Sequence, residues 1–128
     1  MPDIDKIYTD VIPIAKEAGN AIMEIYNKKY VIEKKDDDSP VTTADITSNN
    51  IITSGIKNIS KHPILSEEIQ DTPERLSSEY VWIVDPLDGT SDFIKKNGEF
   101  SVMIGLVQGN TPVFGASYEP ATKKCYYA

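Results

Sequence analysis

The sequence Trp82-Ile83-Val84-Asp85-Pro86-Leu87-Asp88-Gly89-Thr90 is the most informative part of the chain, because an apolar run changes here into a short helical pattern. The run at 80–84 is rich in β-branched and aromatic residues and predicts a β-strand. Two acids, Asp85 and Asp88, follow it directly, with Pro86 between them. The sequence therefore predicts a strand that delivers oxygen ligands to the start of a helix.

These oxygen groups point to a divalent cation. The Asp85 carboxylate, the Leu87 carbonyl and the Asp88 carboxylate can converge on one ion, because the proline stiffens the turn. Gly89 and Thr90 begin the next helix, whose free amides and positive dipole end suit a phosphate oxygen. The alternative is an ordinary Asp-Pro/Asp-Gly turn in which Asp88 caps the helix.

Length and composition indicate one globular domain. The chain has 128 residues, of which 40% are hydrophobic and 26% charged, enough for a core of its own. No apolar run approaches the roughly 20 residues that span a bilayer, and the first five residues are acidic where a secretory signal is basic. We expect a cytoplasmic location. Peripheral association with the inner membrane is the alternative, although no basic amphipathic stretch favours it.

The charge balance limits the partners. With 20 acids against 13 bases, the formal net charge is −7, which argues against binding a nucleic acid polymer. Bound divalent cations would reverse the local field, so that a small phosphorylated substrate becomes acceptable. The single cysteine, Cys125, excludes an internal disulfide and a thiolate metal cage. A metal site in this chain must therefore use oxygen ligands.

Two helices are predicted in the first half of the chain. Apolar residues at helical spacing indicate an amphipathic helix at 3–27, with either a kink at Pro13 or a helix that effectively starts near it. A short strand at 30–35 and an acidic loop at 35–40 follow. The next helical pattern places Asp45 in or just before its first turn, where it complements the helix end or joins a polar pocket. Four isoleucines are predicted on one side of this helix: Ile46, Ile52, Ile56 and Ile59.

The remaining segments predict a sheet. A short strand at 63–65 ends in paired acids, Glu67 and Glu68, and so resembles the strand before Asp85. Apolar runs at 100–107, 112–118 and 123–128 alternate with turns and predict an antiparallel meander. We therefore expect an α+β fold with two main helices packed on a largely antiparallel sheet. Because the sequence stops inside an apolar strand, that edge is predicted to take a partner, either a second chain or a further part of this one.

Three motifs then resemble, in order and spacing, the signatures of the inositol monophosphatase superfamily. They are Ser-Pro-Val-Thr-Thr-Ala-Asp at 39–45, Leu-Ser-Glu-Glu at 65–68, and the stretch at 82–90. Within this superfamily, Leu87 in the third motif and the segments 92–95 and 97–102 look most like bacterial 3′(2′),5′-bisphosphate nucleotidases. The resemblance implies the N-terminal half of the sugar-phosphatase fold. It also implies a Mg²⁺-dependent phosphomonoesterase that removes the 3′-phosphate of adenosine 3′,5′-bisphosphate to give AMP, a reaction connected with sulfur metabolism.

The resemblance also implies roles for particular residues. Asp45 and Thr90 match positions that orient the attacking water, and Glu67 is counted with them as catalytic. Two or more Mg²⁺ ions are implied, bound by Glu67, Asp85, the Leu87 carbonyl and Asp88. The implied substrate-binding residues are Glu67, Leu87, Asp88, Gly89 and Thr90.

One expected element is absent from this sequence. Family members continue into a second α/β portion with a further metal-binding aspartate in a Trp-Asp motif, whereas the single tryptophan here, Trp82, belongs to the motif at 82–90. We therefore expect residues 1–128 to be one domain, the N-terminal metal- and phosphate-binding portion of such a phosphatase. Two alternatives stay open: hydrolysis of inositol phosphates or sugar phosphates, and a catalytically inactive fragment that binds metal or phosphate.

Overall fold

The structure, a computed structural model, describes residues 3–27, 40–66, 77–95 and 97–128. These residues form α1 (Ile4–Tyr26), α2 (Pro40–Ile59), β1 (Ile64–Ser66), β2 (Tyr80–Asp88), α3 (Thr90–Lys95), β3 (Ser101–Gln108), β4 (Thr111–Glu119) and β5 (Lys124–Tyr127). The strands form one sheet in the order β1-β2-β3-β4-β5. The β1–β2 pair is parallel and the other pairs are antiparallel. The predicted α+β class is confirmed, and the strand expected at 30–35 lies outside the described residues.

Helix α1 begins where Asp3 supplies an N-cap. The Asp3 carboxylate accepts hydrogen bonds from the backbone N–H groups of Asp5 (3.1 Å) and Lys6 (3.3 Å), which satisfies donors that the first turn leaves unpaired. The helix then continues to Tyr26 with Pro13 inside it. The expectation of a start near Pro13 is therefore wrong. Pro13 is exposed, so water can replace the backbone bond that the proline removes.

Helix α2 begins earlier than its sequence pattern indicates. Its first residue is Pro40, and no acid lies in its first turn. Asp45 is therefore in the second turn, and the prediction that it lies in or before the first is wrong. Proline suits the first position of a helix because the N–H that it lacks has no partner there.

The apolar face of α2 also differs from the prediction. Ile52 and Ile56 are fully buried, whereas Ile46 is 45% and Ile59 is 42% exposed. Ile46 precedes Ile52 by six residues, which is about 240° around a helix of 3.6 residues per turn. Ile59 is the last residue of the helix. The prediction of one isoleucine face is therefore right for two of its four members.

Strand β2 extends past its predicted end at Val84. It continues through Pro86 to Asp88, so the prediction of a turn at the proline is wrong. The register of β2 against β3 shifts between Asp85 and Asp88, which is a β-bulge. A bulge breaks the hydrogen-bonded ladder locally, and a proline is tolerated there because its missing N–H has no ladder partner to leave unpaired.

The two faces of the sheet differ. The helix-covered face packs against α1 and α2 and carries the core. Its buried strand residues are Trp82, Val84, Leu87, Val102, Ile104, Leu106, Phe114, Ala116 and Tyr118. Helix α1 approaches this face closely at Gly19, where an added Cβ would lie 2.6 Å from a Tyr118 ring carbon. A side chain at this position would therefore push the helix away from β4.

The other face of the sheet, the open face, is covered by none of the described helices. A cross-strand row runs over it from Asp85 through Met103 and Ser117 to Tyr126. Met103 is 41% and Tyr126 58% exposed. These residues line a groove of about 500 Å³ that also includes Ile83. The same strands thus present a packed core on one side and an apolar groove on the other.

Strand β5 is an edge of the sheet and packs on the first turns of α1. The ring of Tyr127 stacks on Tyr8 at 3.8 Å between centroids, and its hydroxyl donates a hydrogen bond to Asp5 (3.0 Å). Burial raises the pKa of the Cys125 thiol, while a hydrogen bond with Tyr8 and the charge of Lys16 act in the opposite direction. Across the described part of the chain, no helix is long and apolar enough to cross a membrane.

Candidate active site

The parallel pairing of β1 and β2 brings two acidic motifs to one edge of the sheet. Ser66, the last residue of β1, pairs with Val84 of β2. Asp85 follows Val84 as Glu67 follows Ser66 in the sequence, and parallel strands end at the same edge. Glu67 itself lies outside the described residues. Its predicted catalytic, substrate and metal roles therefore stay predictions.

The β-bulge decides the direction of the two aspartates in β2. Asp85 pairs with Met103 and Asp88 pairs with Ser101. Met103 and Ser101 are two residues apart on β3, so they share a face of the sheet, and so do the aspartates opposite them. In a regular strand, side chains three residues apart would point to opposite faces. The extra residue in the bulge places both carboxylates on the open face.

Gly89 makes the close connection from β2 to α3. Its φ is +86°, a conformation that residues with a side chain rarely adopt. An added Cβ would also lie 3.0 Å from the Glu99 carbonyl oxygen and 3.3 Å from Cα of Phe100. The Gly89 carbonyl accepts the first helical hydrogen bond from the N–H of Phe93 (3.0 Å). Glycine at this position lets α3 begin directly beside the bulge, with the exposed Thr90 as its first residue.

Side-chain hydrogen bonds hold the loop after α3 against the start of that helix. The Asn97 amide donates to the Asp92 carboxylate (2.8 Å) and its oxygen accepts from the Glu99 N–H (3.0 Å). Because the Glu99 carbonyl is the closest neighbour of the missing Gly89 side chain, this loop fixes the space around the glycine.

Helix α2 reaches the same edge from the helix-covered side. The Ser48 hydroxyl donates to the Pro86 carbonyl (2.7 Å), and the Trp82 indole N–H donates to the Ser60 hydroxyl (3.0 Å). Helix α2 and β2 therefore run in opposite directions, since Ser60, which directly follows α2, meets an earlier residue of β2 than Ser48 does. Asp45 lies about one helical turn beyond Ser48, toward the end of β2 and the start of α3. It is half-buried there.

Two residues of this region, Ser48 and Asn49, were not identified by the sequence reasoning. Ser48 is fully buried and Asn49 is 4% exposed. The Asn49 side-chain oxygen accepts a hydrogen bond from the Ser66 hydroxyl (2.7 Å) at the end of β1. The available signal was a pair of polar residues one turn after Asp45, within a helix that carries buried isoleucines further on.

The donor groups agree with magnesium more than with a transition metal. Asp85 and Asp88 supply carboxylate oxygens on one face, and Mg²⁺ is typically held by one or two carboxylates together with water and substrate phosphates. Within the described ranges, no three His, Cys, Asp or Glu residues lie close enough together to hold a metal ion. Because Glu67 is outside those ranges, the predicted set of Glu67, Asp85, the Leu87 carbonyl and Asp88 stays a prediction.

Comparison with known proteins identifies the family. The sequence profile of the inositol monophosphatase family matches residues 3–128. The chain belongs to the inositol monophosphatase family. Within this family it is similar to the 3′(2′),5′-bisphosphate nucleotidases CysQ of Salmonella typhimurium (45% identity over 122 residues) and Escherichia coli K12 (42% over 124 residues). Each match covers 92% of this chain and 50% of the relative.

Two solved structures have the same fold as this chain. The crystal structure of CysQ from Bacteroides thetaiotaomicron, a bacterial member of the inositol monophosphatase family, matches with a TM-score of 0.86 and 41% identity, over 96% of this chain and 45% of that one. The extragenic suppressor protein SuhB from Bartonella henselae matches with a TM-score of 0.80 and 26% identity, over 96% of this chain and 48% of that one. The chain spans about half the length of the relatives it matches.

Proposed function

We propose that this chain carries the metal- and phosphate-binding half of a Mg²⁺-dependent phosphomonoesterase, and that residues 1–128 form a single domain. The observation that carries the proposal is the β-bulge, which turns Asp85 and Asp88 to one face beside the glycine that starts α3. Acids and an open backbone turn at one place suit a metal ion and a phosphate together. The family supports the same class of reaction.

The proposed metal ligands are Glu67, Asp85, the Leu87 carbonyl and Asp88, which together would hold two or more Mg²⁺ ions. When bound, Mg²⁺ lowers the pKa of a coordinated water and stabilises negative charge on phosphate oxygens. The carboxylates of this chain supply the negative charge that attracts the ions. An overall charge of −7 would otherwise repel a phosphorylated substrate.

Catalysis is proposed to use Asp45, Thr90 and Glu67. Asp45 lies beyond Ser48 on α2, toward the start of α3, where a carboxylate can accept a hydrogen bond from a water molecule and orient it. The Thr90 hydroxyl, at the first position of α3, is proposed to accept or donate to the same water. The N–H groups of Gly89 and Thr90 are proposed to hold the phosphate.

The proposed substrate is adenosine 3′,5′-bisphosphate, from which the enzyme would release the 3′-phosphate to give AMP. The support is the similarity to CysQ proteins, which are described as 3′(2′),5′-bisphosphate nucleotidases. Inositol phosphates are the second candidate, supported by the family match. A cytoplasmic location and self-association through β5, the edge strand, belong to the same proposal.

The experiment is phosphate release from adenosine 3′,5′-bisphosphate over a Mg²⁺ titration, with inositol 1-phosphate alongside. The variant is Asp88→Asn, which removes one ligand charge at an exposed position. We expect turnover to fall by about 100-fold or more, because loss of a ligand weakens the binding of the ion that stabilises the transition state. Calorimetry with Mg²⁺ alone should show weakened binding in the same variant.

The matched control is Asp10→Asn, which makes the same change of charge at an exposed position of α1. It should leave turnover and Mg²⁺ binding unchanged. Turnover that is equal in Asp88→Asn and the unsubstituted chain would contradict the assignment of Asp88. Mg²⁺ binding without turnover would favour the alternative of a catalytically inactive, metal-binding fragment.

A further inference from the structure

Two buried polar side chains of α2 make hydrogen bonds to the ends of two different strands. The Ser48 hydroxyl donates to the Pro86 carbonyl and the Asn49 side-chain oxygen accepts from the Ser66 hydroxyl, both at 2.7 Å. All three side chains are at most 5% exposed. A buried polar group that loses its partner is costly, so each of these bonds strongly favours one arrangement of helix and strand.

The two bonds meet the strands at the points that carry the proposed ligands. Pro86 lies inside the bulge, between Asp85 and the Leu87 carbonyl, where the ladder between β2 and β3 is interrupted. A bulge leaves a residue without its ladder hydrogen bonds. Here the Ser48 hydroxyl donates a hydrogen bond to the Pro86 carbonyl instead. Ser66 is the last residue of β1 and directly precedes Glu67.

Asp45 completes the arrangement. It lies three residues before Ser48 and four before Asn49, so the three side chains share one face of α2. One turn of one helix therefore carries the proposed water-orienting acid together with contacts to both ligand-bearing strands. A shift of α2 along the sheet would move Asp45 and release both strand ends at once.

We infer that Ser48 and Asn49 are positioning residues of the metal site, which hold the bulge of β2 and the end of β1 at the spacing that the ligands require. The inference rests on the proposed function, since it concerns the same ligands. Neither residue touches the metal or the substrate in this role. Residues that orient metal ligands typically change metal affinity by 10–100-fold when they are replaced.

The first test compares Ser48→Ala with Thr53→Val. Thr53 is a matched control because it is 7% exposed on the same helix, and within the described ranges its hydroxyl donates to the α2 carbonyls of Asn49 (2.9 Å) and Asn50 (3.3 Å). Both changes remove a buried hydroxyl. Calorimetry with Mg²⁺ should give a dissociation constant about 10-fold higher or more for Ser48→Ala and a less than about 2-fold change for Thr53→Val. Equal changes in the two variants would overturn the inference.

A second readout does not depend on metal. Amide hydrogen exchange should speed up at Leu87 and Asp88 in Ser48→Ala, while the amides of the β3–β4 pair keep their rates, because only the bulge is released. A uniform increase over the whole sheet would show a general loss of stability and would overturn the inference. If the unsubstituted chain binds no Mg²⁺, the proposed function fails, and the exchange comparison still decides whether Ser48 holds the bulge.

Ser66→Ala tests the contact between Ser66 and Asn49, and it provides an independent test if Ser48→Ala does not fold. It removes the hydroxyl that bonds to Asn49 without altering α2. We expect a similar rise in the Mg²⁺ dissociation constant, because the end of β1 loses its anchor. An unchanged constant in a folded Ser66→Ala chain would contradict the role of Asn49.

Discussion

The helix-covered face and the open face of the sheet are built from alternate residues of the same strands. On β3, Val102, Ile104 and Leu106 are at most 5% exposed, whereas their neighbour Met103 is 41% exposed. The three buried residues belong to the core that packs on α1 and α2, whereas Met103 lines the groove of the open face. Strand periodicity accounts for the alternation but not for what covers each face. The helices among the described residues cover one of the two faces.

The proposed site lies where the two faces meet. Asp85 and Asp88 point to the open face, while Ser48 and Asn49 contact the same strand ends from the helix-covered face. The two acids therefore lie on the open face, while hydrogen bonds from α2 fix the same strand ends from the helix-covered face. This difference suggests that stability depends on the helix-covered face, and that ligand chemistry can vary on the open face at little cost to folding.

The largest expected contrast is between two adjacent residues of β3. Ile104→Ala should lower the free energy of unfolding by about 2–5 kcal/mol, because it leaves a cavity in the core. Met103→Ala should change it by no more than about 0.5 kcal/mol, since the side chain faces the groove. Urea denaturation of both variants measures the contrast. Similar losses would mean that the open face is packed in solution.

Two glycines provide a smaller contrast, in which a methyl group is added instead of removed. Gly19→Ala places a methyl group 2.6 Å from the Tyr118 ring and should cost about 1–3 kcal/mol through overpacking. Gly115→Ala, on the open face, meets no atom within 4 Å and should lie within about 0.5 kcal/mol of the unsubstituted chain. Thermal unfolding followed by circular dichroism separates the two. A neutral Gly19→Ala would show that α1 moves freely against β4.

The smallest expected effect is on pH dependence at β5. Burial raises the pKa of Cys125 above its ordinary value of 9.0, and burial also raises the pKa of Tyr8 above 10.0. A raised pKa in the folded state stabilises the protonated form, so this stability is present below about pH 9 and is lost as the pH rises through the folded-state value. Urea midpoints measured from about pH 8 to pH 11 should fall.

The control for the pH series is Cys125→Ala, in which the fall in the urea midpoint should be smaller. Lys16, Tyr8 and Tyr118 surround the thiol or act on its charge, and they are unchanged in this variant. An identical fall in Cys125→Ala would show that the thiol makes no contribution. The substitution should leave the open face unchanged, since Cys125 pairs with Tyr118 of the helix-covered face.

Several features of the fold could be predicted from the sequence because they depend on local patterns. The meander of β3, β4 and β5 follows from apolar runs separated by turns. Gly109, in the predicted turn between β3 and β4, has a positive φ of 60°, which glycine adopts readily. The start of α2 was missed because β-branched residues after Pro40 look extended in the sequence. The helix forms nevertheless, since a proline at its first position costs no backbone bond.

The site was less predictable than the fold. The sequence indicated that the oxygen groups of Asp85 and Asp88 converge, but it attributed this to a turn at Pro86. The structure gives a β-bulge within a continuing strand. A bulge depends on the register of the partner strand, which one strand's sequence does not contain. The contacts of Ser48 and Asn49 were missed for the same reason, because their partners are 38 and 17 residues away.

The packing of α1 has a consequence for the order in which this protein folds. This helix leaves the ribosome before β3 and β4, yet it contacts both strands, and Tyr8 stacks on Tyr127. The apolar side of α1 therefore stays partly uncovered, packed against α2, until these strands have been synthesised. A pause in translation before β4 would prolong the period in which that side is open to aggregation or to a chaperone.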